Sequence, residues 1–190
     1  GLSNTGSIVG VAGPGVMLSS GATLAELNNA GYINTVSNAG SIIGFYNTGL
    51  VGSLTNAGYM QGAISRPAVY DIGGTIGGVS NLSGATMTGV KGFMLSHSSL
   101  MNGLVNAGQI VGTVDGGVVL FYSTVSGGVL NATSGTVSGT TGLVLSDTTV
   151  SGGVLNRGLV GGTGAAGLIA GGSSITDGIA NLGGTFSGFG

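Results

Sequence analysis

From Leu100 the chain alternates Leu100, Asn102, Leu104, Asn106, Gly108, Ile110, Gly112, Val114, a period of two that predicts strands with one face turned inward. Helix does not compete, because each interior glycine would cost about 1 kcal/mol relative to alanine. The alternation breaks at Ser96–Ser99, Ser146–Thr149 and Gly171–Ser174, clusters of Ser, Thr and Gly that read as corners. Short strands joined by tight corners at a fixed spacing predict a repeating coil rather than a layered domain.

One asparagine sets the period. Asn56, Asn81, Asn106, Asn131, Asn156 and Asn181 follow one another at a constant 25-residue interval, and Asn4 and Asn29 are separated by the same interval. Between Asn29 and Asn56 the motif recurs every nine residues, as Asn29-Ala30-Gly31, Asn38-Ala39-Gly40, Asn47-Thr48-Gly49 and Asn56-Ala57-Gly58. Three such steps suggest one 27-residue coil with three sides of eight or nine residues. The expected fold is therefore all-β: a three-sided parallel β-helix (β-solenoid) of about seven 25-residue coils, forming one domain over residues 1–190. Its coils would start near Asn4, Asn29, Asn56, Asn81, Asn106, Asn131 and Asn156, with a partial coil from Asn181.

Aligned on the asparagines, the blocks give columns, as stacked parallel strands require. Aliphatics recur at the twenty-third position after each Asn (Leu27, Val79, Leu104, Val129, Val154, Ile179) and at the nineteenth (Leu100, Val125, Val150, Ile175). At the twelfth and fourteenth stand Val16/Leu18, Ala68/Tyr70, Phe93/Leu95, Val118/Leu120, Leu143/Leu145 and Leu168/Ala170. The thirteenth is apolar too: Met17, Val69, Met94, Val119, Val144 and Ile169. A strand cannot turn three consecutive side chains inward, so this column is expected outside, as a hydrophobic stripe for association with other copies. Val105, Leu130, Leu155 and Ala180 form a shorter second stripe. The asparagines fall on the inward parity, which allows a buried ladder of side-chain amides through Asn4, Asn29, Asn56, Asn81, Asn106, Asn131, Asn156 and Asn181. A surface turn in the left-handed region suits Asn-Ala-Gly as well.

Composition narrows the function. Of 190 residues 44 are Gly, 2 are Pro and none is Cys or Trp, and 42% are hydrophobic against 4% charged. That hydrophobicity excludes charge-driven disorder, and irregular Gly with so little Pro excludes collagen. Three Lys+Arg against five Asp+Glu leave no basic surface for nucleic acid or for polybasic membrane attachment. Gly116 to Ser146 is uncharged but interrupted by polar residues, unlike a membrane helix, and ten irregularly placed aromatics do not make the girdles of a lipid-facing barrel. No membrane insertion is expected. Without Cys there is no disulfide framework or thiolate metal site. Gly1 opens no signal-peptide pattern, so any export signal is expected outside these residues.

Catalytic constellations are lacking. Gly162–Gly167 matches G-x-G-x-x-G but precedes no amphipathic helix. His97 shares its column with Tyr122 and Asp147, which puts the imidazole about 10 Å from the carboxylate, too far for a dyad. Asp71, Asp115, Asp147 and Asp177 fall in four columns, while Arg66, Lys91 and Asp115 converge as a small charge cluster or a carbohydrate contact. Calcium-binding nonapeptide coils need an Asp in each repeat where this chain has Asn. Asn81-Leu82-Ser83 and Asn131-Ala132-Thr133 match glycosylation sequons on the ladder column. No enzyme activity, cofactor or metal is expected.

The pattern Ser-Gly-Gly-Val-Leu-Asn at Ser126–Asn131 and Ser151–Asn156, with the Gly and Val positions that follow it, resembles the β-solenoid passenger regions of bacterial autotransporters and related large secreted adhesins. The resemblance covers nearly the whole chain and implies an exported, cysteine-free parallel β-helix acting at the cell surface or outside it, in adhesion, aggregation or biofilm. The very low charge departs from that family and favours assembly. The expected function is an extracellular structural solenoid partnered by copies of itself, laterally or end to end, with cell-surface glycans as a second class of partner. The alternative is a non-assembling stalk of a longer adhesin whose binding tip lies elsewhere. Ice binding by Thr140-Thr141 and Thr148-Thr149 and a polysaccharide-active β-helix are remoter alternatives.

Overall fold

The computed structural model describes residues 1–188, and among them there is no helix. Four parallel sheets of eight strands run the length of the molecule. In one coil Phe93–Ser96 lies in sheet A, Ser99–Leu100 in sheet B, Leu104–Asn106 in sheet C and Gln109–Gly112 in sheet D. The next coil returns to sheet A at Val118–Phe121. The protein is thus the parallel β-helix expected, its three-sided coil carried by four sheets, and seven turns take it from Leu2–Asn4 to Leu168–Gly171.

The core follows the alternation. Sheet A sends in Leu27, Phe45, Val69, Phe93 and Val118; sheet B, Ile33, Val51, Ile76, Leu100 and Val125; sheet C, Val36, Leu54, Val79 and Leu104; sheet D, Ile42, Met60, Met87 and Ile110. Each is essentially inaccessible to solvent. Burial of one such side chain stabilises by about 1.5–3 kcal/mol. Stacking repeats that gain on every rung without a helix or a second layer.

Coil length varies, which corrects the expected coil boundaries. Leu2 stacks on Leu27, but Leu27 stacks on Phe45, a shorter step, and Phe45 on Val69. After two further steps of 24, sheet A returns at Phe93 to the 25-residue step it had between Leu2 and Leu27 and keeps it through Val118 and Leu143. The nine-residue step is half a coil and not a third: Leu27–Thr35 and Val36–Gly44 are equivalent halves, each a strand, an Asn-Ala-Gly turn and a second strand. There is consequently no 27-residue coil from Asn29 to Asn56.

The 25-residue coils enlarge these halves at their corners, and do so alternately. Sheet D begins at the fifth position after Asn81 and Asn131 but at the third after Asn106 and Asn156. The connection back to sheet A compensates, with Val90–Gly92 after the first and Thr113–Gly117 after the second. These return loops lie against the outer side of sheet A. Gly116 sits so close over it that a β-carbon there would meet Val119 Cγ2 at 2.7 Å and Val144 Cγ2 at 3.3 Å.

Candidate functional site

Two side-chain ladders run inside the solenoid. In sheet C, Asn38 Nδ2 donates to Asn56 Oδ1 at 2.8 Å, and the relay continues through Asn81, Asn106, Asn131, Asn156 and Asn181 at 2.8–3.0 Å. Each amide from Asn38 to Asn156 also reaches a backbone carbonyl of the next coil, as Asn81 Nδ2 does at Gln109 O, 3.0 Å away. The members from Asn38 to Asn156 are buried. Every amide points the same way along the axis, which satisfies groups that would otherwise cost about 1–3 kcal/mol each.

Asn4 and Asn29 belong to a different ladder, so the expected single column is divided. In sheet A, Asn4 donates to Asn29 at 2.8 Å, Asn29 to Asn47 at 2.8 Å, and Asn47 to Asp71 Oδ1 at 2.7 Å. Asn29 stacks on Asn47 and not on Asn56 because the coil between them is a short one of two nine-residue halves. Asp71 ends this relay. It accepts without passing a hydrogen onward, and the next rung is apolar, at Leu95. Asp71 is fully buried and its Oδ2 has no hydrogen-bond partner. Burial raises its pKa to about 6, against the lowering effect of the Asn47 hydrogen bond.

Above Asp71 the A–B corner changes chemistry. Asn-x-Gly gives way to a left-handed residue followed by a hydroxyl: His97-Ser98, Tyr122-Ser123, Asp147-Thr148 and Gly172-Ser173. Ser98 N donates to Ser123 Oγ at 3.2 Å, Ser123 N to Thr148 Oγ1 at 3.4 Å, and Thr148 N to Ser173 Oγ at 3.1 Å. Each hydroxyl bonds back to the carbonyl two residues earlier, Ser123 Oγ to Phe121 O at 2.7 Å. The signal for this hydroxyl ladder is the run of Ser and Thr at the 25-residue spacing from Ser98. His97 and Tyr122 are stacked at 5.2 Å on the outside of the corner, with Phe121 edge-on to Tyr122 at 4.4 Å.

The expected stripe is also rearranged. Met94, Val119, Val144 and Ile169 do form one outward column of sheet A, but it continues downward through Tyr70 and Tyr46. Val69 faces inward beside Phe93, fully buried, and Met17 lies in sheet C opposite Ser37. Val69 stacks on Phe93 by a 24-residue step, one short of the offset that would set it under Met94, and the offset counted from Asn4, a member of the sheet A ladder, lands Met17 in sheet C. The return loops moreover cover much of this column: Val119 is only 7% exposed, while Ile169, on the last rung of sheet A, is 43% exposed.

Sheet C carries the more open apolar face. Val105, Leu130, Leu155 and Ala180 stack in register on its outer side, and Val105 is 39% exposed. Met101, Leu82 and Leu182 stand exposed beside the sheet. Met17 heads the same column, separated from Val105 by Ser37, Thr55 and Ser80.

The remaining motifs are absorbed by the fold. Gly162–Gly167 spans the end of a sheet D strand and a return loop. Lys91 Nζ pairs with Asp115 Oδ2 at 2.8 Å on the surface, a pair worth at most about 1 kcal/mol, while Arg66 turns instead toward Tyr46. Asn81 and Asn131, the sequon residues, spend their amides in the ladder. Thr141 and Thr148 are buried, so neither threonine pair presents two outward rows. Among the described residues no three His, Cys, Asp or Glu gather as a metal site.

These features define a β-solenoid whose polar interior is structural. No protein-family model matches the chain, and no curated protein or solved structure matches it.

Proposed function

We propose that the protein is an extracellular structural β-solenoid that associates laterally with copies of itself through the outer face of sheet C. The observation that carries this reading is the register of Val105, Leu130, Leu155 and Ala180, an aliphatic column with no charged member. Face-to-face sheets pack about 10 Å apart, so two antiparallel rods can set these columns against one another. Eight charged residues in the whole chain offer little repulsion against such contact. The similarity of the Ser-Gly-Gly-Val-Leu-Asn pattern to exported passenger solenoids supports the extracellular setting.

The test is light scattering after size exclusion for the wild type and for Leu130→Asp with Leu155→Asp. Both positions face outward, so the double variant is expected to keep the wild-type β-signal and melting temperature while its mass falls to that of one chain. Equal association by the variant would remove sheet C from the contact. A wild type that stays single at every concentration would favour the stalk of a longer adhesin instead.

A further inference from the structure

The row of loops from sheet D back to sheet A has one gap. The first coil returns through Ala25–Glu26, the second through Gly44 alone, and the third through the long segment 62–68, which carries Arg66 out to solvent. A nine-residue half-coil has none to spare for a loop. The short return therefore leaves sheet A uncovered between its longer neighbours, as an open groove of about 430 Å³.

The groove brings together an acid, a base, an amide and an aromatic ring. Ser3, Asn28 and Tyr46 are successive members of the outward column of sheet A, and Thr48 stands at the adjoining corner. Glu26 and Arg66 enter from the two flanking loops. Among the described residues the ion pair is Lys91 with Asp115, so Glu26 and Arg66 line the groove without a direct ion pair between them. The Tyr46 ring is braced by Tyr70, edge-on at 5.6 Å, and by the Arg66 guanidinium, 6.0 Å from the ring centre.

We propose that this groove binds a neutral saccharide. A carboxylate accepts from adjacent hydroxyls, a guanidinium donates in a fork, the Asn28 amide does both, and a braced aromatic ring offers apolar surface to sugar C–H groups. Glu26 disfavours phosphate and uronate ligands, and the polar lining gives an acyl chain or an apolar peptide side chain little to bury. The site lies on sheet A, so it is independent of association through sheet C.

The experiment is calorimetric titration of the whole chain with chitotetraose, cellotetraose, mannotriose and, as the acidic control, tetragalacturonate. At least one neutral probe is expected to bind, with tetragalacturonate weaker by about tenfold or more. Tyr46→Ala and Arg66→Gln should each weaken the neutral probe by about tenfold with the melting temperature held. Arg66 is exposed, so its variant tests the site even where loss of the Tyr46 ring disturbs folding. Binding of chitotetraose or cellotetraose would point to a matrix polysaccharide, and of mannotriose to a cell-surface glycan. The proposal is overturned if no neutral probe binds at about 10 mM, if both variants bind as well as wild type, or if the uronate binds best.

Discussion

The coils before Asp71 and those from Phe93 onward solve the same corner in two ways. The earlier ones turn from sheet A to sheet B on Asn-x-Gly, with the Asn amide relaying to the next coil. The later ones turn on a left-handed residue and hand the backbone N–H to a Ser or Thr hydroxyl of the next coil. Sheet C keeps the amide relay throughout, from Asn38 to Asn181. The difference teaches that the exchange belongs to the A–B corner, since sheet C keeps its Asn through the longer turns after Asn81 and Asn131 as through the shorter ones after Asn106 and Asn156. One added corner residue lets a hydroxyl take over, and the freed inward position becomes Leu95, Leu120 and Leu145. Asp71 stands where one solution ends, as an acceptor that needs no partner beyond it, on a corner that already turns through left-handed Gly73.

The comparison breaks most severely in the uninterrupted ladder. Asn106→Leu leaves the Asn81 amide without its acceptor and Asn131 Oδ1 without its donor, and is expected to cost about 4 kcal/mol by chemical denaturation. An unchanged midpoint would mean that the relay contributes nothing. Asp71 comes next. Its folded pKa, about 6, lies above the ordinary carboxylate value of 3.8, so the native state holds the proton more tightly than the unfolded chain. Stability from this group is complete below pH 4, declines as pH rises through 6 and is flat above, a loss of about 3 kcal/mol. Asp71→Asn should abolish that slope in melting curves taken from pH 4 to 8, and an identical slope in the variant would assign it elsewhere.

Smaller effects separate the two corners. Ser123→Ala orphans the Ser98 N–H and the hydroxyl contact to Phe121 O, for an expected loss of about 2 kcal/mol, whereas Ser37→Ala, on the outer side of sheet C, should be near neutral. Asp147 holds φ of 50° where Gly172, in the same corner column, holds 63°. Asp147→Gly is expected to stabilise by about 1 kcal/mol by releasing that strain, and a loss of stability would show that its contact with Ser146 outweighs it.

The repeat is legible because stacked coils place like residues at like positions, so Asn106, Asn131 and Asn156 announce both the period and the inward column. Corners are legible at Ser96–Ser99 and Ser146–Thr149 for the same reason. A fixed offset fails wherever the corner changes length without changing composition, which aligns Val69 falsely with Met94 and hides Tyr46 and Tyr70 as members of that column. The nine-residue steps carry a further signal: Asn29 with Asn47, and Asn38 with Asn56, are two interleaved families, each repeating at twice that step, which marks two halves of one coil. The groove at Tyr46 is not legible, since it arises from a loop that is short relative to neighbours distant in sequence. Asp71 reads as an isolated acid because its ladder partner, Asn47, is aligned only once the short coil is known.

The central functional claim is lateral association through sheet C, and cryo-electron microscopy of the chain across a concentration series tests it most directly. The account predicts rods paired or bundled side by side, with Val105, Leu130 and Leu155 in the seam. Isolated rods at every concentration, or pairs joined through any other face, would contradict it.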